Sequence, residues 1–429
     1  MSDGAPDLDP VPPDPAGDAT PTRQVAVPET GRAAAEAFVA EHLGDLCCDE
    51  VGGSSRFHGG QRAADASLAA YDVAGYAAKR NQVLPESKRG ASALSPHIRH
   101  GLLPLRRVWD HVAGGPARDV RKFRDELLWQ EFSRHWYARL GGRSGRGIRR
   151  ELADSDDATR DLGGWDRSMA CMDATVGELE RDGWLVNQTR MWLSSQWAIR
   201  DRRRWQDGED AFFTHLLDGS RAANRLGWQW TTGVGSSKHY GFSRWQVAKR
   251  APELCASCEL RDDCPIEGWP PDPSFTPLDR PAAARRGTSP FAGPTEVVGE
   301  RDPDAVWLTA ESLGDEDPAL AAHPDLAVVF TFDRPLLARL GLSSKRLVFL
   351  TETLAELAEH RDLDLHVGDP VVALGDRPVA VTHAPVPGFA ARASRADVVE
   401  THPWPWLTAP TSGSVSSFSA WRKGVSAPS

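Results

Sequence analysis

The sequence lacks three features that would assign it to a membrane or to the secretory pathway. No apolar run approaches the roughly 18 residues that a transmembrane helix needs. The N-terminus is acidic and proline-rich, without the basic and apolar regions of a secretory signal, so we expect a cytoplasmic protein without a membrane partner. Cysteine is scarce, with 6 in 429 residues. Because cytoplasmic thiols stay reduced, a disulfide framework is not expected.

Positive charge is also in short supply overall, but it is unevenly distributed. The formal net charge is −10, whereas residues 51–250 hold 33 Lys and Arg against 23 Asp and Glu, a net charge of +10. A basic block inside an acidic chain predicts a domain that faces a polyanion. A solvated helical surface of mixed charge is the alternative that charge alone leaves open.

Hydrophobic periodicity divides the chain into a helical part and a sheet part. Apolar residues recur at helical spacing in Arg121–Leu140 and Val186–Trp205, and strand-like alternation is scarce around them. Short apolar runs then predict a parallel sheet with intervening helices, and these are Ala305–Ala310, Leu326–Phe332, Leu347–Thr351, Leu363–Val367 and Pro378–His383. The predicted order is a disordered tail (1–30), an all-α domain (31–270), a linker (271–303), a C-terminal α/β domain with a Rossmann-like parallel sheet (304–412) and a loop-like tail (413–429).

Four of the six cysteines have the spacing of a thiolate cluster. Cys255 and Cys258 form a Cys-x-x-Cys pair, and Cys264 follows, directly before a proline. Cys171 is the candidate for a fourth ligand. Such a set suits an iron–sulfur centre or zinc, with unligated thiols as the alternative.

Five short motifs follow one another between about residues 60 and 245. They are Tyr76-x-x-x-Arg80-Asn81, Gly90-Ala-Ser-Ala-Leu-Ser-Pro96, Glu126-Leu-Leu-Trp129-Gln-Glu-Phe132, Asn187-x-x-Arg190-Met191, and the segment from Asp218 to Trp230. Their ordered combination resembles the flavin domain of the photolyase/cryptochrome family. The resemblance implies an all-α FAD-binding domain.

The resemblance also implies which residues contact FAD. They are Tyr76, Ser92, Leu94, Ser95, Arg190, Asp218, Gly219, Ser220 and Asn224. Serine hydroxyls and free N–H groups at a helix start suit a diphosphate. Asn224 matches the family position beside flavin N5, where a side chain influences the redox state. Without the resemblance, Arg190 and Asp218 would be read as a structural salt bridge.

A pocket for a flipped-out pyrimidine dimer is a further implication of the resemblance. Its residues are Arg80, Glu126, Trp129, Asn187, Met191 and Trp230. Chemistry on a base requires its removal from the duplex, so a cavity of this kind is expected. The sequence therefore predicts a photolyase-like lyase that repairs UV-damaged DNA with light. Gln130, Gln188 and Ser220 depart from the family pattern, and they keep open the alternative of a cryptochrome-like blue-light photoreceptor without repair activity.

Tryptophan is abundant, with 16 residues, of which 12 lie between Trp109 and Trp269. Trp228 and Trp205 match two members of the relay that, in this family, carries electrons from the surface to the flavin. Trp165 is the candidate for the third member. The relay gives a function to part of an excess that core packing does not require.

The position of the cysteines resembles the iron–sulfur bacterial branch of the family, which implies one [4Fe-4S] cluster, with zinc as the alternative. The sheet part resembles the antenna domain, which in ordinary photolyases precedes the flavin domain, so the chain reads as a circular permutation. Thr309 and Leu313 replace the usual arginines, so we do not count an antenna chromophore among the expected cofactors. We expect a monomer.

Overall fold

The structure is a computed structural model that describes residues 21–153, 164–426 and 428. Most of the tail predicted to be disordered, residues 1–20, lies outside the described residues. The strands are β1 (Arg23–Gln24), β2 (Arg150–Leu152), β3 (Phe275–Pro277), β4 (Val298–Gly299), β5 (Ala305–Leu308), β6 (Ala327–Asp333), β7 (Leu363–Gly368), β8 (Val379–Thr382) and β9 (Val398–His402). The helices are α1 (Arg32–His42), α2 (Gln61–Ala69), α3 (Tyr76–Lys79), α4 (Ser95–Arg99), α5 (Leu105–His111), α6 (Ala117–Leu140), α7 (Ala170–Asp182), α8 (Asn187–Ser195), α9 (Trp205–His215), α10 (Arg221–Thr232), α11 (Arg244–Arg250), α12 (Pro252–Ser257), α13 (Ala282–Arg285), α14 (Pro318–Ala322), α15 (Arg334–Leu340), α16 (Ser344–Leu357), α17 (Pro370–Leu374), α18 (Phe389–Ala393) and α19 (Phe418–Gly424). None of these helices combines the length and the apolar character that a bilayer span requires.

Seven strands form one sheet in the order β1-β7-β6-β5-β8-β9-β4. Strands β5 to β9 are parallel, and β1 and β4 pair antiparallel at the two edges. Every residue of β5 and β8 is buried, as expected for a parallel sheet covered on both faces. The order of the five parallel strands is that of a doubly wound nucleotide-binding sheet. The predicted α/β part is confirmed.

One predicted strand is wrong. The run Leu347–Thr351 lies inside helix α16, of which 13 of 14 residues are buried. The sequence of a fully buried helix shows neither an amphipathic stripe nor strand-like alternation. A short apolar run therefore cannot distinguish such a helix from a buried strand. The sequence analysis also missed β9, because its last residues, from Glu400 to His402, are polar.

Residues 61–257 form the helical part that the periodicity predicts. Helix α10 lies near its centre and packs against α6, α8 and α9. The single helix expected over Val186–Trp205 is instead two helices. Helix α8 ends at Ser195, a π-helical turn covers Gln196–Arg200, and α9 begins at Trp205. Arg202, between them, has a φ of +54°, a conformation that a continuous helix does not contain.

The segments expected to be tails and linker contribute ordered elements. Strand β1 lies within the expected N-terminal tail and pairs with β7, and the next helix, α1, packs on α16 through the buried Phe38 and Val39. The expected linker contains β3, α13 and β4. The expected C-terminal tail contains α19, which packs on α6 through the buried Trp421. These segments are ordered because each places a few apolar side chains of an otherwise polar sequence against a larger element, where they are buried.

Candidate active site

Helix α10 brings three of the predicted motifs together. It carries Asn224, Trp228 and Trp230, and Ser220 caps its start by accepting a hydrogen bond from the backbone N–H of residue 223 at 3.4 Å. Helix α10 packs against α6, which carries Glu126, and against α8, which begins at the Asn-x-x-Arg-Met motif. The geometry therefore joins motifs that lie about a hundred residues apart in the sequence.

Two buried polar atoms, one just before α10 and one in its first turn, have no hydrogen-bond partner. Arg190 donates to Asp218 Oδ2 at 2.7 Å, so the ion pair expected from the sequence forms. Asp218 Oδ1 and Asn224 Nδ2 are buried and have no partner. Because an unsatisfied buried polar group costs about 1–3 kcal/mol, such atoms are expected where a ligand completes the bonding. A flavin ring, which carries both donors and acceptors at its edge, fits this pair.

The loop that carries Asp218 is held by side chains that the sequence analysis missed. Arg346, on α16 of the sheet part, donates to the carbonyls of Phe213 and Leu216. Arg99 donates to the carbonyl of Gly219 at 2.6 Å. Burial lowers the pKa of Arg346 to about 9. An arginine directly before the apolar run of α16 was the available signal, since a buried cation needs specific partners.

Gly219 lies where a larger residue would collide with this support. A Cβ atom there would lie 2.1 Å from the Arg346 guanidinium and 3.0 Å from the Leu216 carbonyl oxygen. Glycine at this position therefore allows the loop to approach the sheet part closely.

The predicted diphosphate residues lie near the start of α4, and their hydroxyls have protein partners. Ser95 Oγ accepts a hydrogen bond from Trp184 Nε1 at 2.9 Å, and Ser92 Oγ accepts one from the backbone N–H of Leu94 at 3.4 Å. Leu94 is buried. Tyr76 is buried with its ring edge-on to another aromatic ring, and burial raises the pKa of its hydroxyl. These four residues contribute packing as well as candidate ligand contacts.

The predicted lesion residues lie on neighbouring helices with differing exposure. Trp230, at the C-terminal end of α10, is 45% exposed, and Asn187, at the start of α8, is exposed. Met191 lies one turn further along α8 and is half-buried. Trp129, on α6, stacks on Phe418 of α19, with ring centroids 4.1 Å apart and planes at 10°. One face of Trp129 is therefore covered by the C-terminal helix.

A basic depression adjoins these residues. Its lining includes Arg80, Arg118, Arg121 and Lys122. Glu126 lies next to it and pairs with Lys122 at 2.8 Å and with Arg80 at 3.5 Å. The concentration of cations here accounts for part of the positive charge found in this region of the sequence, and it suits phosphate groups.

The tryptophans form a chain of ring contacts that differs from the predicted relay. Trp228 contacts Phe212, with centroids 5.2 Å apart, and Phe212 contacts Trp165 at 5.5 Å. Trp165 contacts Trp197 at 5.0 Å, and Trp197 was not predicted. Within the described part of the chain, the ring contacts of Trp228 and Trp165 do not include Trp205, which is buried nearby at the start of α9.

The structure brings the four predicted cysteine ligands close to one another. Cys171 lies on α7, and this helix packs against α12, which carries Cys255. Burial first, and then the proximity of Cys255, Cys258 and Cys264, raise the pKa of the Cys171 thiol to about 12. No three of these four described sulfur atoms lie mutually within 4.8 Å.

The fold and the site together define a two-part protein with a helical flavin-binding part and a parallel α/β part, and comparison with known proteins agrees. Residues 123–253 match the model of the FAD-binding domain of DNA photolyase. Over this region the chain is similar to the photolyase/cryptochrome family.

The relatives cover part of the chain. A deoxyribodipyrimidine photo-lyase of Thermus thermophilus is 32% identical over 233 residues, which are 51% of this chain and 53% of that protein. The protein of the same name from Synechococcus sp. is 29% identical over 244 residues, 52% of this chain and 49% of that one. The crystal structure of an archaeal photolyase from Sulfolobus tokodaii aligns with a TM-score of 0.40 and 24% identity over 50% of each chain. The chain thus spans about half the length of the curated relatives it matches.

Proposed function

We propose that this protein is a light-driven DNA repair enzyme that splits UV-induced pyrimidine dimers by electron transfer from photoexcited, reduced FAD. The observation that carries the proposal is that the two ends of α10 present different groups, a buried polar one and an exposed aromatic one. Asn224, near its start, has a buried and unpartnered amide nitrogen, whereas Trp230, near its end, has a half-exposed ring. Six residues of helix separate them by about 9 Å. One rigid element therefore supports both a flavin contact and a stacking surface for a base.

The chain's own residues would hold and orient FAD. When bound, reduced FAD supplies an electron on excitation by blue light and regains it after the dimer splits, so there is no net oxidation. The Asp218 carboxylate keeps one oxygen on Arg190 and offers the other as an acceptor. The Asn224 amide offers a donor in the same buried region. Because these groups are fixed before the ligand arrives, they bind it without reorganisation.

The residues beyond the flavin contacts would receive the lesion. A flipped dimer requires an aromatic face for stacking and polar groups for the base edges, which Trp230, Glu126 and Asn187 supply. Arg118 and Arg121, in the basic depression, would neutralise the flanking phosphates. Affinity for undamaged DNA is then electrostatic and decreases with salt.

The aromatic chain supports a route for restoring the reduced state of the cofactor. Consecutive ring centroids from Trp228 through Phe212 and Trp165 to Trp197 lie 5.0–5.5 Å apart. We propose Trp228, Trp165 and Trp197 as the electron-carrying members of the relay, with the Phe212 ring lying between the first two and Trp205 as a buried neighbour of the relay.

We propose that Cys171, Cys255, Cys258 and Cys264 hold a [4Fe-4S] cluster, as in the iron–sulfur branch. Four thiolates on one zinc ion, each about 2.3 Å from it, lie about 3.8 Å apart. No three of these described sulfur atoms lie as close together as a single zinc ion requires, which supports the larger inorganic core. The cluster would also join α7 to α12.

We infer, in addition, that the chain is a circularly permuted member of the family. The helical part precedes the five parallel strands in the sequence, whereas β1 and α1, at the N-terminal end, pack on the sheet part. We propose residues 61–270 and 304–412 as the two domains, with residues 21–46 joined to the second.

A photoreceptor without repair activity is the second candidate. The observation in its favour is the stacking of Phe418 on Trp129, which occupies one face of a predicted base platform. The buried Gln188, one of the departures from the family pattern, is also engaged, since it donates to the Tyr240 hydroxyl at 2.7 Å.

The deciding experiment measures restoration of pyrimidines in UV-irradiated oligothymidylate by the FAD-loaded protein under anaerobic blue light. We expect repair by the wild type and at least a tenfold weaker affinity for the damaged oligonucleotide in Trp230→Ala, because stacking on one aromatic ring is worth about 1–3 kcal/mol per base. Trp245→Ala is the matched control, since Trp245 is 63% exposed on α11, outside the predicted pocket. Photoreduction of bound FAD without any restoration of pyrimidines would overturn the repair function and establish the photoreceptor.

A further inference from the structure

Three potential metal ligands converge at one edge of the sheet, away from the cysteines and from the proposed active site. Glu400 Oε1 lies 2.6 Å from His323 Nε2 and 2.5 Å from His402 Nε2. One ligand atom from each of the three residues lies within 4.8 Å of the others. No other residue forms an ion pair with Glu400 in the described part of the chain.

The fold fixes this convergence. Glu400 and His402 are two residues apart on β9, so their side chains leave the strand on the same face. His323 ends α14, a helix that packs on β5, β8 and β9 and covers that face. Because helix and strand are both anchored in the sheet, the three side chains meet without a flexible loop.

The donor set and the local charge both suit a divalent transition-metal ion. Two imidazoles and one carboxylate form a set that binds zinc with a fourth position left for water. Glu400 Oε1 lies within hydrogen-bond distance of both imidazoles, so the carboxylate is already turned towards the two other proposed ligands. Asp317, which is buried close to His402, is the other acidic group beside the cluster. The cation beside this group is Arg361, which donates to the backbone carbonyl of His323 at 2.7 Å.

The cluster also has room for an ion and access to solvent. The side chains of His323 and Glu400 are 21% and 18% exposed, so an ion can enter from water. Ligand atoms at about 2.0–2.1 Å from zinc lie about 3.3 Å apart, so the carboxylate must move by less than about 1 Å. Gly299, on the edge strand β4, faces Glu400, and even a Cβ atom there would lie 3.6 Å from Glu400 Oε2. The absence of a side chain at Gly299 leaves that side of the carboxylate open.

We propose that His323, Glu400 and His402 bind one divalent ion of the zinc type, which links the end of α14 to strand β9. Imidazole nitrogens favour zinc and its neighbours over magnesium or calcium. Binding requires the lone pair of a neutral imidazole on both histidines, so protons compete with the metal ion for the site. The proposal is independent of the repair function, since the ligands lie on the sheet part.

The test counts zinc bound by the full-length protein. After dialysis against micromolar ZnCl₂ at pH 7.5, we expect the wild type to hold one zinc equivalent more than the double variant His323→Ala/His402→Ala. The cysteines are intact in both proteins, so the difference reports this site alone. His360→Ala is the matched control, because His360 is a half-exposed histidine of the same part, outside the cluster.

A second variant keeps the test decisive if the double variant does not fold. Glu400→Gln keeps the shape of the side chain and removes its charge, and we expect zinc affinity to fall at least tenfold. Zinc should raise the Tm of the wild type, as binding to the folded state requires, and the shift should vanish in Glu400→Gln. Equal zinc content and equal Tm shifts in the wild type and Glu400→Gln would overturn the proposal and leave a hydrogen-bonded triad only.

Discussion

Buried polar side chains are hydrogen-bonded less completely in the helical part than in the sheet part. In residues 61–257, buried side-chain atoms without a hydrogen-bond partner recur, among them Trp228 Nε1, Asp218 Oδ1 and Asn224 Nδ2. In residues 304–412, the cases are Arg361 Nε and Thr408 Oγ1. Since native proteins pair nearly all such atoms, unpaired ones indicate where a ligand belongs. The helical part therefore offers more unpaired buried groups to a ligand than the sheet part does.

The two parts meet at the loop that carries Asp218. Arg346 and Arg99 hold its backbone, and His100 adds Nε2 at 3.0 Å from the carbonyl oxygen of Leu217. The other side of His100 contacts the carbonyl oxygen of Ala310, directly after β5. The sheet part therefore positions the ligand-binding loop, and breaking this contact should affect both parts.

The largest effect is expected for Arg346→Ala. The substitution leaves the buried carbonyls of Phe213 and Leu216 without their donor and opens a cavity, for a loss of about 3–5 kcal/mol in the free energy of unfolding. Flavin affinity should fall as well, because the Asp218 loop loses its support. Urea unfolding of the apoprotein and FAD titration measure the two effects.

Arg346→Met separates the lost hydrogen bonds from the lost volume. Methionine fills most of the space, so its cost should be smaller, about 1–2 kcal/mol, and confined to the unpaired carbonyls. A change within about 0.5 kcal/mol for Arg346→Ala, with unchanged FAD affinity, would show that the sheet part does not position the loop.

The sequence predicted the fold where the pattern was strong and failed where burial was complete. The periodicity of α6 and the alternation of strands with helices were sufficient for both parts. Helix α16 was mistaken in part for a strand because it is buried all round. In the site, the motif residues Arg190, Asp218 and Asn224 were predicted, since they lie in recognisable segments. Arg346 was not, because an arginine beside an apolar run indicates only that a buried cation needs partners, and backbone carbonyl partners cannot be identified from the sequence.

A pair of substitutions should give opposite outcomes in the two parts. Asn224→Leu removes an unpartnered nitrogen, so the apoprotein should lose little stability, while FAD affinity should fall at least tenfold. Thr353→Val on α16 removes a hydroxyl that accepts from the Gly60 N–H at 2.9 Å and donates to the Phe349 carbonyl at 2.8 Å. It should cost about 1–2 kcal/mol with FAD affinity unchanged. If Asn224→Leu destabilises the apoprotein as much as Thr353→Val does, the contrast between the parts is wrong.

The smallest effect is a difference in pH dependence. In the helical part, burial raises the pKa of Asp201 from 3.8 to about 6, against a hydrogen bond from Gln196 and the charges of Arg200 and Arg203, with Asp166 adding to the rise. In the sheet part, hydrogen bonds from Arg62 and Thr30 lower the pKa of Glu359 to about 2. A carboxyl whose pKa is raised stabilises the fold below its unfolded pKa, and this contribution is lost as the pH rises through its folded pKa.

Asp201→Asn should therefore gain stability relative to the wild type as the pH rises from 4.5 to 7.5. Allowing for partial exposure, the gain is about 1–2 kcal/mol. Glu359 stabilises above its unfolded pKa and loses this contribution only as the pH falls towards 2. The difference between Glu359→Gln and the wild type should therefore stay level over the same range. Urea unfolding at several pH values measures both slopes. If the difference in free energy of unfolding between Asp201→Asn and the wild type does not change with pH, burial in the helical part does not raise the pKa of Asp201.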